Sequence, residues 1–277
     1  GWCIKLKDEV FTKDEFRAEA PKHFVLVELD FPRKTELAKK LKEQNDKLQV
    51  EYQIEGFPTI YLTDADGRPY AKTGYQQGGA EKYLEHLAEL RKNREKRDAS
   101  FKTAASAKGI ERAKALAAGI EAVGDDFAKF YRAEVDEIIA ADKDGKAGLK
   151  TRFESILKKA DMKKDVQAAF VQLGDLLKDR ATAKPNMGKA ETLIRKLFEK
   201  YPDVDGQEGV MLTAYMSNIL AEQEKYTEAI AWLVKLKKLN PRAAGYADKM
   251  IKDFEKKAEK AKEGQKKGEA TGAGTDK

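Results

Sequence analysis

Chemistry in this chain begins with a single thiol. Of its 277 residues one is cysteine, Cys3, in the opening stretch Gly1-Trp2-Cys3-Ile4-Lys5-Leu6-Lys7-Asp8-Glu9-Val10-Phe11. Ile4, Leu6, Val10 and Phe11 fall on a rough helical apolar face, with Lys5, Lys7, Asp8 and Glu9 mostly opposite. A cysteine in the first turn of a helix has its thiolate favoured by the free N–H groups and the dipole there. A free cysteine is also commonly just a small buried apolar side chain, and the local residues leave both readings open. One cysteine excludes a disulfide within these residues and any cysteine-based zinc cage.

Other candidates are weaker. His23 and His86 are far apart and lack metal-ligand spacing, so no metal site is expected. His23 has no acidic or nucleophilic partner close by to suggest a triad. His86, among Glu85, Leu87 and Glu89, is expected on a helix surface. Gly78-Gly79 lacks the Lys-Ser/Thr that follows a phosphate-binding loop. Asp142-Lys143-Asp144-Gly145 is read as a turn, because the glutamate of a calcium loop is missing at its proper distance. No cofactor is expected.

The elements that must position Cys3 are legible around it. Residues 3–20 read as a helix with a break, Thr12 and Glu15 forming a capping box for its second part, and Pro21 ends it. His23-Phe24-Val25-Leu26-Val27-Glu28-Leu29-Asp30 predicts a strand buried on both faces. Residues 34–53 predict a helix with Leu37, Leu41, Leu48 and Tyr52 as its buried stripe. Gly56-Phe57-Pro58-Thr59 leads into a strand Ile60-Tyr61-Leu62-Thr63. The turn Asp64-Ala65-Asp66-Gly67 then returns an antiparallel strand, Arg68 to Thr73. A helix follows from about Ala80 to Lys96, with Tyr83, Leu84, Leu87 and Leu90 inward. This order makes an α/β domain ending near Arg97.

Taken together, these residues resemble the thioredoxin superfamily, in particular bacterial thioredoxin-like proteins with a Trp-Cys-Gly-Trp-Cys active-site stretch. Gly1-Trp2-Cys3 is similar to the last three residues of Cys-Gly-Trp-Cys, and Glu9-Val10-Phe11 follows at the family's spacing. Gly56-Phe57-Pro58-Thr59 resembles the loop whose proline is cis and packs against the cysteine pair. The hairpin and Thr73-Gly74-Tyr75 follow in the right order. The resemblance covers residues 1–97. It implies a thiol–disulfide oxidoreductase acting on protein disulfides or dithiols, with Cys3 as the resolving thiol. Trp2, Phe57, Pro58 and Thr59 would line the substrate surface, the loop pairing its backbone with an extended substrate segment. It also implies a nucleophilic cysteine immediately before Gly1, and a strand, a helix and the central strand ahead of the motif. None of these is in the sequence, so a fragment with an incomplete sheet and impaired redox activity is expected. The family points to the bacterial periplasm or cell envelope, with a signal peptide upstream; the low cysteine count also suits a cytoplasmic protein.

From Asp98 onward strand signals vanish and Ala, Lys, Glu and Leu dominate, so an all-α domain is expected over 98–261. Phe101 to Val123 reads as one helix weakened by Gly109 and Gly119. Asp125 is expected to cap the next, whose stripe is Phe127, Phe130, Tyr131, Val135, Ile138 and Ile139. Further helices are expected over 147–182. Within 185–261 a weak repeat relates Met187 through Tyr201-Pro202 to Tyr226 through Asn240-Pro241, and Trp232 is expected in the core. The second copy resembles the second helix of a tetratricopeptide repeat, while an ordinary antiparallel bundle fits as well. Residues 262–277 read as a solvated, disordered tail.

Composition bounds the rest. Hydrophobic residues make up 41% and charged residues 37%, enough for real cores in a helix-rich, well-solvated chain. The net charge of +6 arises from 54 basic and 48 acidic residues mixed along helices, without aromatic interleaving, so no nucleic-acid partner is expected. No apolar run reaches the roughly eighteen residues of a membrane span. Besides the oxidoreductase, a second class of function fits: a redox-inactive thioredoxin-fold scaffold whose helical repeats bind a protein partner.

Overall fold

The computed structural model describes residues 1–32, 35–178 and 184–272, with side chains to residue 261. Residues 34, 179–182 and 273–277 of the expected helices and tail lie outside the described residues. The described chain forms two compact units, Gly1–Lys164 and Asp165–Lys277.

In the first unit, helix α1 (Trp2–Leu6) widens into a π-helical turn, Lys7–Phe11, and α2 (Asp14–Glu19) follows after a break. The expected capping box does not form. Lys13 is the N-cap without a side-chain bond, and the Thr12 hydroxyl instead donates back to the Lys7 and Asp8 carbonyls. Leu6, Val10 and Phe16 are buried, and the Phe11, Phe16 and Tyr83 rings meet at 5.1–6.4 Å. That aromatic cluster holds the Cys3 end of the chain on α4 (Gly79–Ser106).

The antiparallel hairpin forms as expected, β1 (Ile60–Thr63) with β2 (Pro69–Thr73), Leu62 opposite Ala71. Gly67, at φ 76°, supplies the turn's left-handed residue. The run at 23–30 is a correction: it is not a strand and not buried, with Val25 93% and Val27 76% exposed. A strand needs a neighbour to take its N–H and C=O groups, and no described strand lies beside this one. Among the described residues Asn45, whose Nδ2 donates to the Asp30 carbonyl at 2.7 Å, ties its end to α3 (Lys39–Glu51). The expected stripe of α3 is covered in part: Leu37, Leu48 and Tyr52 are half-buried, Leu41 is 42% exposed, and Asn45 is the helix's one fully buried residue.

α4 runs past Lys96 to Ser106, so residues 97–106 belong to it rather than to a new helix. The chain is extended at Ala107 and Lys108 before α5 (Gly109–Val123). Gly119 has a packing purpose: a Cβ there would strike the Phe101 ring, so its bareness lets α5 lie close on α4. Asp125 does not cap by its side chain. A 3₁₀ segment, Asp125–Tyr131, leads into α6 (Arg132–Ala141). Buried Asp142 then accepts from the Ala147 and Lys150 N–H groups, 2.9 and 3.0 Å, at the start of α7 (Leu149–Leu176).

A buried ion network fastens the hairpin to these helices. Arg97 on α4, 3% exposed, donates to Asp64 of the turn at 2.9 Å, to the Tyr131 hydroxyl at 2.7 Å and to Asp98 at 2.6 Å. Tyr131 donates onward to the Pro69 carbonyl at 2.8 Å, and Arg68 joins Asp64 to Glu134 on α6. Burial opposes the Arg97 charge, but Tyr131 and Asp98 outweigh it and raise its pKa.

The second unit packs α8 (Met187–Lys200), α9 (Gly206–Glu222), α10 (Tyr226–Leu239) and α11 (Ala244–Gly272) in sequence. Ala190, Ile194 and Leu197 are buried on α8 as Ala229, Leu233 and Leu236 are on α10. Trp232 is half-buried rather than core, 4.8 Å from the Phe198 ring, with Lys235 against the pair. α11 continues as helix to Gly272, into the segment expected to be disordered from 262. Its Ala, Lys and Glu residues are strong helix formers. Glu191 of α8 accepts from Lys225 and Arg195 at 2.8 Å and from Gln223 at 3.0 Å. Burial pushes its carboxyl up, yet these three partners outweigh it and hold the pKa at about 2.

Replacing Arg97 with Met leaves Asp64 buried with only half-exposed Arg68 as counter-ion, an expected loss of about 3 kcal/mol in urea unfolding. The double variant Arg97→Met/Asp64→Asn should recover part of it. A single variant within about 0.5 kcal/mol of the parent would show that the network adds nothing. For Glu191 the folded pKa lies below the unfolded value of about 4.3. Its stabilisation is therefore complete above that value and is lost as pH falls towards about 2. Glu191→Gln should be less stable than the parent at pH 6, and the gap should close by pH 2.

Candidate functional site

Cys3 stands in the first turn of α1, exposed and unpaired, with Gly1 as the N-cap. The short apolar face of α1 explains its position: Leu6 and Val10 go inward, which turns Trp2, Cys3 and Ile4 outward. Exposure, not burial, is the outcome of the two readings of this thiol.

Trp2 is 60% exposed and lies 5.3 Å from the Tyr75 ring, centroid to centroid. Lys5 sits 5.4 Å over Trp2 and 5.0 Å over Tyr75. The Tyr75 hydroxyl donates to Glu9 at 2.5 Å, and Lys5 approaches the same carboxylate at 3.7 Å. The Tyr75 hydroxyl, then Glu9, raise the Lys5 pKa, so the group over the Trp2 and Tyr75 rings is a firm positive charge. Trp2, Lys5 and Glu9 share one helical face at spacings of three and four, a signal the sequence carries. Tyr75, which gathers them, follows a separate strand, and its role was not legible without the fold.

The Phe57–Pro58 peptide is cis, as the resemblance implied. Phe57 is exposed and packs on Phe31 at 5.0 Å, and the Thr59 hydroxyl donates to the Gly56 carbonyl at 2.7 Å. A Cβ on Gly74 would lie 3.1 Å from the Pro58 carbonyl oxygen, so residues 74 and 75 touch the loop on one side and Trp2 on the other. Tyr83, buried on α4, donates to the Gly74 carbonyl at 3.1 Å and fixes that bridge. Burial pushes the Tyr83 pKa up to about 12, keeping it a neutral donor. Trp2 and Pro58 are thus brought together through Gly74-Tyr75. Phe57 turns instead to Phe31, and Thr59 bonds within its own loop.

The histidines find partners that sequence did not suggest. His23 lies 3.3 Å from Glu19, one turn before it, and His86, half-buried, meets the Thr73 hydroxyl at 2.8 Å. Among the described residues no cluster of His, Cys, Asp or Glu could hold a metal ion, and no helix is long and apolar enough to cross a membrane.

The exposure of Cys3 has a direct test. Ellman's reagent should titrate one thiol per folded chain without denaturant, at a rate within about threefold of that in urea. Protection of tenfold or more would mean that the thiol is covered in solution.

Comparison with known proteins places the segment. Residues 1–90 match the family model of the thioredoxin-like domain. Over 83 residues the chain is 35% identical to the disulfide bond reductase DsbH of Chlamydia pneumoniae. That match covers 30% of this chain and 50% of the relative, so the chain spans about half the length of the curated relative it matches. A solved structure described as DsbH oxidoreductase is 33% identical, covering 33% of this chain and 63% of that one, with a TM-score of 0.32. The N-terminal part of this chain is therefore a thioredoxin-like domain, followed by a large helical region.

Proposed function

We propose that this chain takes part in thiol–disulfide exchange with protein disulfides or dithiols. The observation that carries the proposal is an exposed thiol in the first helical turn, beside an exposed tryptophan that Gly74-Tyr75 links to a cis-proline loop. Similarity over 83 residues to a protein named a disulfide bond reductase supports it. In this proposal Cys3 is the resolving thiol, Trp2 and Phe57 offer apolar contact to the substrate, and the backbone around Pro58 and Thr59 pairs with an extended segment. Residues 1–97 are the redox module, and the periplasm or cell envelope of a bacterium is its place of work.

Exchange by one thiol stops halfway. A thiolate attacks a disulfide sulfur and expels the other sulfur, leaving a mixed disulfide that a second thiol must resolve. Within these 277 residues Cys3 has no partner cysteine whose adduct it could resolve, so it must itself attack the substrate disulfide and then depends on an external thiol for release. Its turnover is accordingly impaired. The matching burial of Ala190, Ile194 and Leu197 with Ala229, Leu233 and Leu236 favours a second role, in which a helical repeat over 185–261 holds a protein partner.

Mixed with an unfolded, disulfide-containing protein, the chain should form a 1:1 adduct at Cys3 that dithiothreitol releases and Cys3→Ser abolishes. It should accelerate insulin reduction by dithiothreitol less than about twofold. Absence of an adduct would leave the scaffold role. Full catalytic turnover would show that a single thiol suffices, against the impairment proposed.

A further inference from the structure

Away from Cys3, the first unit holds a cleft of about 420 Å³ with a continuous aromatic wall. Tyr52 lies 5.1 Å from both Tyr61 and Phe130, and Tyr61 lies 6.0 Å from Phe127. Lys129, between the two phenylalanines in the 3₁₀ segment, enters this cleft half-buried. Its Nζ donates to the Glu51 carbonyl at the end of α3, 2.6 Å away, and lies 4.8 Å over the Phe130 ring. Among the described residues no carboxylate comes within ion-pair distance of it. The neighbouring acids are engaged elsewhere: Asp125 with Arg152 at 2.9 Å, and Asp126 with Lys163 at 4.0 Å.

This is an unusual place for an ammonium ion. Burial first, then Lys164 and, less, Lys163 from α7, pull the Lys129 pKa down to about 8, while Glu51 and Asp126 oppose the shift. Gln53, Glu55, Lys72, Asn93 and the two tyrosines also line the cleft. Lys72 lies 5.8 Å over the Tyr61 ring, whose hydroxyl donates to the Tyr52 carbonyl, while the Tyr52 hydroxyl donates to Gly67. About a tenth of Lys129 is then neutral amine at pH 7, against well under a thousandth for an ordinary lysine. A neutral lysine amine set against aromatic rings in a cleft of mixed polarity is a nucleophile suited to Schiff-base chemistry.

We propose that Lys129 forms a Schiff base with an aldehyde that carries a flat aromatic body, held in the cleft against Tyr52, Tyr61, Phe127 and Phe130. The nitrogen lone pair adds to the carbonyl carbon to form a C–N bond. The resulting carbinolamine loses its hydroxyl group, and the two amine hydrogens leave with the former carbonyl oxygen as one water. No electrons pass to a third species. The aromatic wall supplies stacking area, and the Glu51 carbonyl holds Nζ at the end of α3.

The test uses the full chain, benzaldehyde as probe, sodium cyanoborohydride to reduce the imine, and Glu-C peptide mapping by mass spectrometry. At pH 7 Lys129 should be labelled at least about tenfold faster than the median lysine. Its rate should rise with a midpoint near pH 8, and its advantage should vanish in urea. Formaldehyde, which cannot stack, should discriminate less. A Lys129 rate at or below the median in the folded chain would overturn the proposal, as would a preference that survives in urea. Equal discrimination by the two aldehydes would overturn the aromatic selectivity.

Discussion

The first unit depends on a charge placed where charges are rarely found. Arg97 lies within α4 and points into the protein, where Asp64, Asp98 and the Tyr131 hydroxyl receive it. A buried ion pair adds little net stability over an apolar contact of the same shape, but it is unforgiving of misplacement. That intolerance serves a two-stranded sheet well. A lone hairpin is marginal in water, and here its turn is held at one end by Asp64 and its second strand by the bond from Tyr131 to the Pro69 carbonyl. The position of Gly74-Tyr75 beyond β2, and through it the relation of Trp2 to the cis-proline loop, follows from that anchorage.

The anchored hairpin and the aromatic cluster on α4 divide the work of placing the thiol. Phe11, Phe16 and Tyr83 set the depth of α1 and α2, and Tyr83 also reaches the Gly74 carbonyl. One side chain on a long helix thus touches both halves of the site. In the second unit Glu191 has a comparable part, binding α8 to the loop before α10 through Gln223 and Lys225. Both units rest on a polar residue enclosed by helices and served by several donors or acceptors.

Much of this was legible in the sequence, and the exceptions have physical causes. The hairpin was readable because Asp64 to Gly67 carries its own turn chemistry, which needs no distant partner. The cis-proline loop and the importance of Gly1-Trp2-Cys3 came from family resemblance, since a proline ahead of a strand is ordinary. The run 23–30 misled because its composition specifies how well it would pair, while pairing requires a neighbour. On α3 the same want leaves Leu41 exposed and the rest of its stripe half-covered. Arg97 was invisible because a helix of alternating charges looks solvated on every face, and only the fold shows which arginine turned inward. Lys129 was hidden likewise, since its cleft is assembled from α3, β1 and the segment before α6.

The exposed segment Val25-Leu26-Val27-Glu28-Leu29 has a consequence for the behaviour of the molecule in bulk. Extended, β-branched and wet, it offers unused backbone donors and acceptors along an apolar ribbon, the kind of surface on which like chains add edge to edge. Glu28 is the one gatekeeper charge inside it, with Asp30 just beyond. These five residues, with one carboxylate among them, therefore favour self-association of the polypeptide as its concentration rises.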